Sequence, residues 1–208
     1  MSGTGEVFWT SDIHFFHDKI QAFCPNTRAG DTVEEMNELL IEKWNKTVRK
    51  RDRIFHLGDF SFGSYDQTLA VLKRLNGAKE FIEGNHDTHA LRSVIKKNPN
   101  LVQSYKSYDE VKVAKEKFVL FHFPIECWNG MHHGRIHIHG HCHGQTSHNS
   151  KLMHNRIDVG IDTRLNGDML PYHHSEMLEL VKKQNDLLDF IKDNNFKEEY
   201  DNTSNYNK

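Results

Sequence analysis

Five times along this chain a short, largely apolar run stops at aspartate, asparagine or histidine, side chains of the kind that can ligate metals. Asp12 and His14 follow VFWTS, Asp59 follows RIFHLG, Asn85 and His86 follow FIEG, His122 follows FVLF, and His141 with His143 follow RIHIHG. Runs of this length between polar breaks read as strands. In an α/β sheet the ends of successive strands open on one rim, so polar groups placed there from distant stretches meet at one site. This pattern therefore asks for a sheet with converging strand ends and helices between the strands. Spacing adds to it: Asp12 and His14 are two apart, as are His141 and His143. In extended chain such residues point to the same side, so each pair is expected to grip one ion.

The rest of the chain alternates short apolar runs with amphipathic segments, which gives an α/β or α+β class. A first strand is predicted over 7–10 and a helix over 32–48. A capping box of Thr32 with Glu35 opens that helix, and Met36, Leu40 and Trp44 share one face. A second strand is predicted over 53–57, a helix over 67–76 with Gly77 as its C-terminal cap, and a third strand at Phe81 and Ile82. A helix over 90–97 precedes a hairpin of 111–114 with 118–121, then strands over 135–139 and 156–161 and a last helix over 176–191. Residues 1–196 are expected to form a single domain. The polar stretch 197–208, with few apolar residues, is expected to be disordered.

Charge excludes some partners. With 27 Lys and Arg against 29 Asp and Glu, no global field would hold the chain on long nucleic acid or an anionic membrane. Cys24, Cys127 and Cys142 are an odd, widely spaced set that suits a reducing compartment better than a disulfide framework. No basic-then-apolar leader opens MSGTGEVFWTSD and no long apolar run follows, so a cytoplasmic protein is expected. Histidine is the outlier, with nine of the 16 lying between His122 and His154, which points to metal or phosphate chemistry.

The residue types explain themselves if a pair of cations is held. Two divalent ions close together need a bridging anionic oxygen, which Asp59 can supply. Asp12, His14, Asn85, His122, His141 and His143 complete seven donors and leave coordination positions for water or a phosphate oxygen. Imidazole and carboxylate together suit manganese, the expected ion, and also iron, zinc or nickel. Open positions imply catalysis, with metal-activated hydroxide as nucleophile. Gly58, Gly84 and Gly140 stand directly before donors, where close backbone approach is easiest without a Cβ.

Asp12-Ile13-His14, Gly58-Asp59, Gly84-Asn85-His86-Asp87, His122 and Gly140-His141-Cys142-His143 resemble, in order, the five motifs of the calcineurin-like metallophosphoesterase superfamily. The resemblance implies two facing mixed β-sheets flanked by helices. It also implies that Asp12, His14 and His143 hold one metal, that Asn85, His122 and His141 hold the other, and that Asp59 bridges them. His86 would contact phosphate and protonate the leaving oxygen, oriented by Asp87. SDIHFFHDKI and NELLIEKWNKTV are similar to a small branch of single-domain members from bacteria and their viruses, in which a histidine recurs at the place of His17. Phe60-Ser61-Phe62-Gly63 stands where the protein phosphatase branch has Asp-Arg-Gly, so protein dephosphorylation is not expected.

The function expected is hydrolysis of a phosphodiester on a small phosphorylated or nucleotide-derived substrate. The alternatives are a phosphomonoesterase on a small metabolite and a catalytically silent metal-binding scaffold; an intact His86 argues against the scaffold. His17 and Arg28 are candidate phosphate contacts. Taken singly, any of these residues reads as a helix cap or surface group, and only their joint order argues for a site. Alternation turns Cys142 away from its flanking histidines, as a packed thiol. Most of His132, His133, His137, His139, His148 and His154 are expected to face solvent beside a loop.

Overall fold

Alternate side chains of the central strands go to opposite faces of one sheet. Phe8, Ile54 and Phe81 face helices, whereas Trp9, Phe55 and Ile82 face a second sheet. This two-residue period places a core on each side. The computed structural model describes residues 5–145, 152–164 and 166–194. β1 (Val7–Thr10), β2 (Arg53–His56), β3 (Ala78–Ile82) and β4 (Ser104–Lys106) run parallel in the order β4-β3-β2-β1. In the second sheet β5 (Tyr108–Val113) pairs antiparallel with β6 (Glu116–Phe121), and β7 (Ile136–His139) and β8 (Arg156–Asp158) follow in parallel. β9 (Tyr172–His173) closes the first sheet antiparallel to β1, so both sheets are mixed.

Helices cover the outer face of the first sheet. α1 (Ile20–Phe23) is one turn; α2 (Val33–Thr47) buries Met36, Leu40, Ile41 and Trp44 against it, α3 (Tyr65–Arg74) buries Val71 and Leu72, and α4 (His89–Lys97) buries Leu91 and Val94. α5 (His174–Asp193) contributes Met177 and Val181 to the core between the sheets. There Trp9 stacks on Phe55 at 4.5 Å between ring centroids, a pairing worth about 0.5–1.5 kcal/mol beyond its burial. Among the described residues no helix is long and apolar enough to cross a membrane.

The local code differs from the sequence reading in several places. Thr32 accepts the Glu35 amide as expected, but the Glu35 carboxylate takes the Asp31 amide, so only half of that capping box forms. The full box is Ser64 with Gln67, which starts α3 two residues earlier than predicted, and α3 ends at Arg74, before Gly77. The strand predicted over 156–161 stops at Asp158, because Ile161–Thr163 coil into a 3-10 turn. β4 and β9, of three and two residues, were not predicted, being too short to show a period. The stretch 197–208 and His148 lie outside the described residues.

Candidate metal centre

Backbone pairing continues past the strand ends and draws the five clusters together. Asp12 and His14 donate their amides to the carbonyls of Gly58 and Asp59, both at 3.0 Å, extending the β1–β2 register. The Gly140 amide donates to His122 at 3.0 Å, joining the ends of β6 and β7. Side chains make the remaining links: Asp59 Oδ1 accepts the His86 amide at 2.8 Å, and the Asp12 carboxylate accepts the His141 amide at 3.0 Å. A Cβ on Gly84 would collide with Asp59, and one on Gly140 with Ser11 and Asp12. These are the close approaches that the sequence reading assigned to glycine.

The chain bends sharply at these points. Asp12, His14, Asp59, His141 and His143 all have φ between 50° and 70°, and they are five of the nine described non-glycine residues with positive φ. Left-handed backbone costs a residue with a Cβ of order 1 kcal/mol or more and concentrates where function over-determines it. It also corrects the expectation that i and i+2 donors share a side in extended chain. Asp12 and His14 do meet at one end of the cluster. His141 and His143 separate, one to each end.

At the first end His14 Nε2 lies 3.2 Å from His143 Nε2 and 3.9 Å from Asp12 Oδ1. At the second, Asn85 Oδ1 lies 2.8 Å from His122 Nε2 and 3.0 Å from His141 Nδ1. Asp59 Oδ2 stands between, 3.7 Å from His14 Nε2 and 3.4 Å from His122 Nε2. Asp12, His14, Asp59 and His122 are all nearly sealed from solvent, so charge here is costly unless matched. Burial pushes the Asp12 carboxyl up to about 7, with Asp158 and Asp59 adding to the rise. Burial drives His14 well below the usual imidazole range. For Asp59 burial acts upward, but His122 and the His86 amide bring the carboxyl down to about 2. His122 responds in kind: burial opposes its charge, yet Asp59 and Asp12 raise it to about 9.

Whether these residues suit a cation is decided by His122. Its Nδ1 donates to the Leu57 carbonyl at 2.7 Å, and Nε2 then faces the Asn85 and Asp59 oxygens, which only accept. A positive centre belongs among those groups. At the other end two ring nitrogens face each other beside Asp12 and Asp59, and among the described residues His14 Nδ1 is buried without a partner. The donor atoms of Asp12, His14 and His143, and separately those of Asp12, Asp59 and His122, lie within 4.8 Å of one another. The nitrogen and oxygen set fits bound divalent cations.

Both the sequence and the fold have relatives among known proteins. The chain is 35% identical over 140 residues to the uncharacterised protein MJ1445 of Methanocaldococcus jannaschii, covering 66% of this chain and 69% of that one. It is 28% identical over 184 residues to the Gene 66 protein of Mycobacterium phage L5, covering 75% and 86%. A crystal structure of AQ665 from Aquifex aeolicus, a protein of unknown function, superposes with a TM-score of 0.64 at 20% identity over 85% of this chain and 99% of that one. No family model matches the chain. The 35% identity makes this chain a relative of MJ1445, and in this chain the five motifs converge on one donor cluster between two mixed sheets. The chain has the two-sheet fold and the converged motifs that the resemblance to the calcineurin-like metallophosphoesterases implies.

Two expectations at this centre are overturned. Arg28 was expected to contact phosphate, but its side chain is fully buried. Its Nε and Nη2 donate to Asp162 at 2.8 and 2.6 Å, and the guanidinium also reaches the Ile13 and Asp12 carbonyls. It is an internal brace. Asp87 was expected to orient His86, but its oxygens accept the Phe60 and Gly84 amides, each at 2.8 Å, and so tie the loops after β2 and β3. Among the described residues no hydrogen bond joins Asp87 to the His86 ring. Of the five described histidines outside the donor set that were expected mostly to face solvent, His132, His133 and His154 are exposed, whereas His137 and His139 are buried.

His86 and His17 stay near the mouth. The His86 ring is exposed, 6.0 Å from that of His14, and the half-buried His17 ring lies 5.6 Å from it. Cys142 is buried and groups with His139 and Asp158, apart from the seven donors. The sequence reading missed Asp162. Its Oδ2 accepts from His143 Nδ1 at 2.6 Å, which leaves His143 Nε2 facing His14. Thr27 and Arg28 fix the same carboxylate from the other side. Burial opposes the charge of His143, but Asp162 and Asp12 raise it to about 10. A carboxylate behind a ligating histidine sets the ring tautomer and orientation.

Proposed function

We propose that this chain is a dinuclear metal-dependent phosphodiesterase acting on a small phosphorylated substrate. Asp12, His14 and His143 would hold one ion, Asn85, His122 and His141 the other, and Asp59 would serve both. The observation that carries this reading is the place of Asp59 Oδ2, within 4 Å of a ring nitrogen at each end of the cluster. When bound, a metal pair supplies a nucleophile at neutral pH and neutralises charge on the phosphoryl oxygens.

The chain's own groups do the rest. The His86 ring, exposed beside His14, donates an imidazole proton to the departing ester oxygen, which leaves as an alcohol. The Asp59 carboxylate holds the His86 amide and so sets where that ring begins. Asp87 fixes the two loops that carry Asp59 and Asn85, which keeps donors from both in register. Manganese is the proposed ion, and the cytoplasm the proposed location.

The test is hydrolysis of bis(p-nitrophenyl) phosphate and p-nitrophenyl phosphate by manganese-loaded protein, repeated with chelator. Activity on the diester above that on the monoester, lost with the metal, is expected. Metal-independent turnover would end this reading, and a preference for the monoester would replace the diester assignment.

A further inference from the structure

The donor cluster is flanked by aromatic side chains left open to solvent. Among the described residues seven large apolar side chains are exposed, and two of them, Phe62 and Phe123, lie against rings of this centre. Phe62 is 37% exposed, and its ring lies 4.4 Å from that of His17 and 5.5 Å from those of His14 and His86. Phe123 is 36% exposed, 4.6 Å from the His141 ring and 5.0 Å from that of His122. Each end of the cluster therefore has its own open phenyl ring.

Neither ring hangs on slack chain. The Phe62 amide donates to Phe15 at 2.9 Å, next to the Phe15–Ser61 bridge. The Phe123 carbonyl lies 3.1 Å from Nε2 of the buried His137, whose other nitrogen contacts the Val119 carbonyl. Exposed phenyl groups on fixed backbone gain little for the fold. They gain much more from a flat partner, because stacking a base on an aromatic side chain contributes about 1–3 kcal/mol.

We propose that the substrate is a phosphodiester with a nucleobase on each side of the scissile phosphate, a dinucleotide or the end of a short single strand. The phosphate sits at the donor cluster, one base lies on Phe62 and the other on Phe123. This rests on the phosphodiesterase reading for its chemistry, but base binding is measured separately from it. Stacking accepts any base, so the site selects nucleotides over alkyl or sugar phosphates and does not select among sequences.

The test has two arms on manganese-loaded protein. In the first, calorimetry compares adenosine 5′-monophosphate with ribose 5-phosphate. The nucleotide is expected to bind about tenfold tighter or more. Phe62→Leu should shrink that ratio towards one, and Phe62→Trp, which keeps a flat ring, should restore it. In the second, the ratio of kcat/KM on adenylyl-adenosine to that on glycerophosphocholine is measured for wild type, Phe62→Leu and Phe123→Leu. Each Leu variant should lower the ratio about tenfold.

Equal affinity for the two monophosphates overturns the proposal, as does failure of either to bind. So does an equal loss on both diesters, which would mean that the rings merely pack the histidines. A nucleotide preference without turnover of any diester would instead remove the hydrolase reading and leave the base platform standing.

Discussion

At one end of the donor cluster Asp12 and His14 are buried, and His143 is backed by Asp162, which Arg28 and Thr27 hold in turn. At the other end Asn85 is exposed, and only His122 is sealed, anchored on the Leu57 carbonyl. The first end has its geometry imposed from behind; the second takes part of its shape from a loop at the surface. Preorganised donors lose less freedom on binding an ion, so the first end should hold its cation more tightly and the second should exchange with solution.

The largest effect should come from Asp59, which faces both ends. Asp59→Asn is expected to abolish turnover and reduce bound manganese from two equivalents to one or fewer by elemental analysis. Two tightly held equivalents in that variant would remove Asp59 from the centre. Next, His86→Ala should keep both ions and the fold while lowering kcat by about 10²–10⁴-fold. Unchanged kcat would assign proton donation elsewhere.

Asp162→Asn sharpens the contrast between the ends. It should weaken manganese at the first end by about 10–100-fold, the usual cost of an outer partner, and leave the second equivalent near its wild-type affinity. Competitive titration with a chelating dye reads both steps. Equal weakening of both sites would show one coupled centre with no difference between its ends. Asp162→Ala should also lower stability to urea, because Arg28 would remain as a buried unpaired charge at a cost of about 3–5 kcal/mol.

The smallest effect is one of pH. In the metal-free protein His122 and His143 are raised to about 9 and about 10, above the ~6.5 of free imidazole. A raised pKa contributes stability that is full below about 6.5 and lost as pH climbs through the folded values. With chelator, the urea midpoint should therefore fall between about pH 7 and 10. With manganese, which takes the place of those protons, the fall should be shallower. A midpoint independent of pH in chelator would contradict the pairing of His122 with Asp59 and of His143 with Asp162.

Much of this was readable residue by residue. The strands that carry donors announce themselves as apolar runs, and the glycines before Asp59, Asn85 and His141 mark places where backbone must come close. Arg28 misled because a charged residue near a motif looks like a substrate group until its partners are known, whereas the role expected of Asp87 came from the resemblance and its hydrogen bonds run to the backbone instead. Asp162 gave no signal at all. It sits in a 3-10 turn after β8, and its partner Arg28 is 134 residues away. The left-handed backbone at the donors was equally hidden, since aspartate and histidine adopt positive φ more often than most residues but still only rarely.

What the amino-acid order determined by itself is local: which short segments extend or coil, and that donor-type side chains stand where extended segments end. Periodicity and capping act within a few residues, and such patterns can be read directly. What the tertiary structure alone decided is which donors share an ion, which carboxylate braces which histidine, and that Arg28 points inward. Those outcomes depend on burial and on charges brought together from opposite parts of the chain, where the cost of an unpaired ion in a dry interior selects the partners.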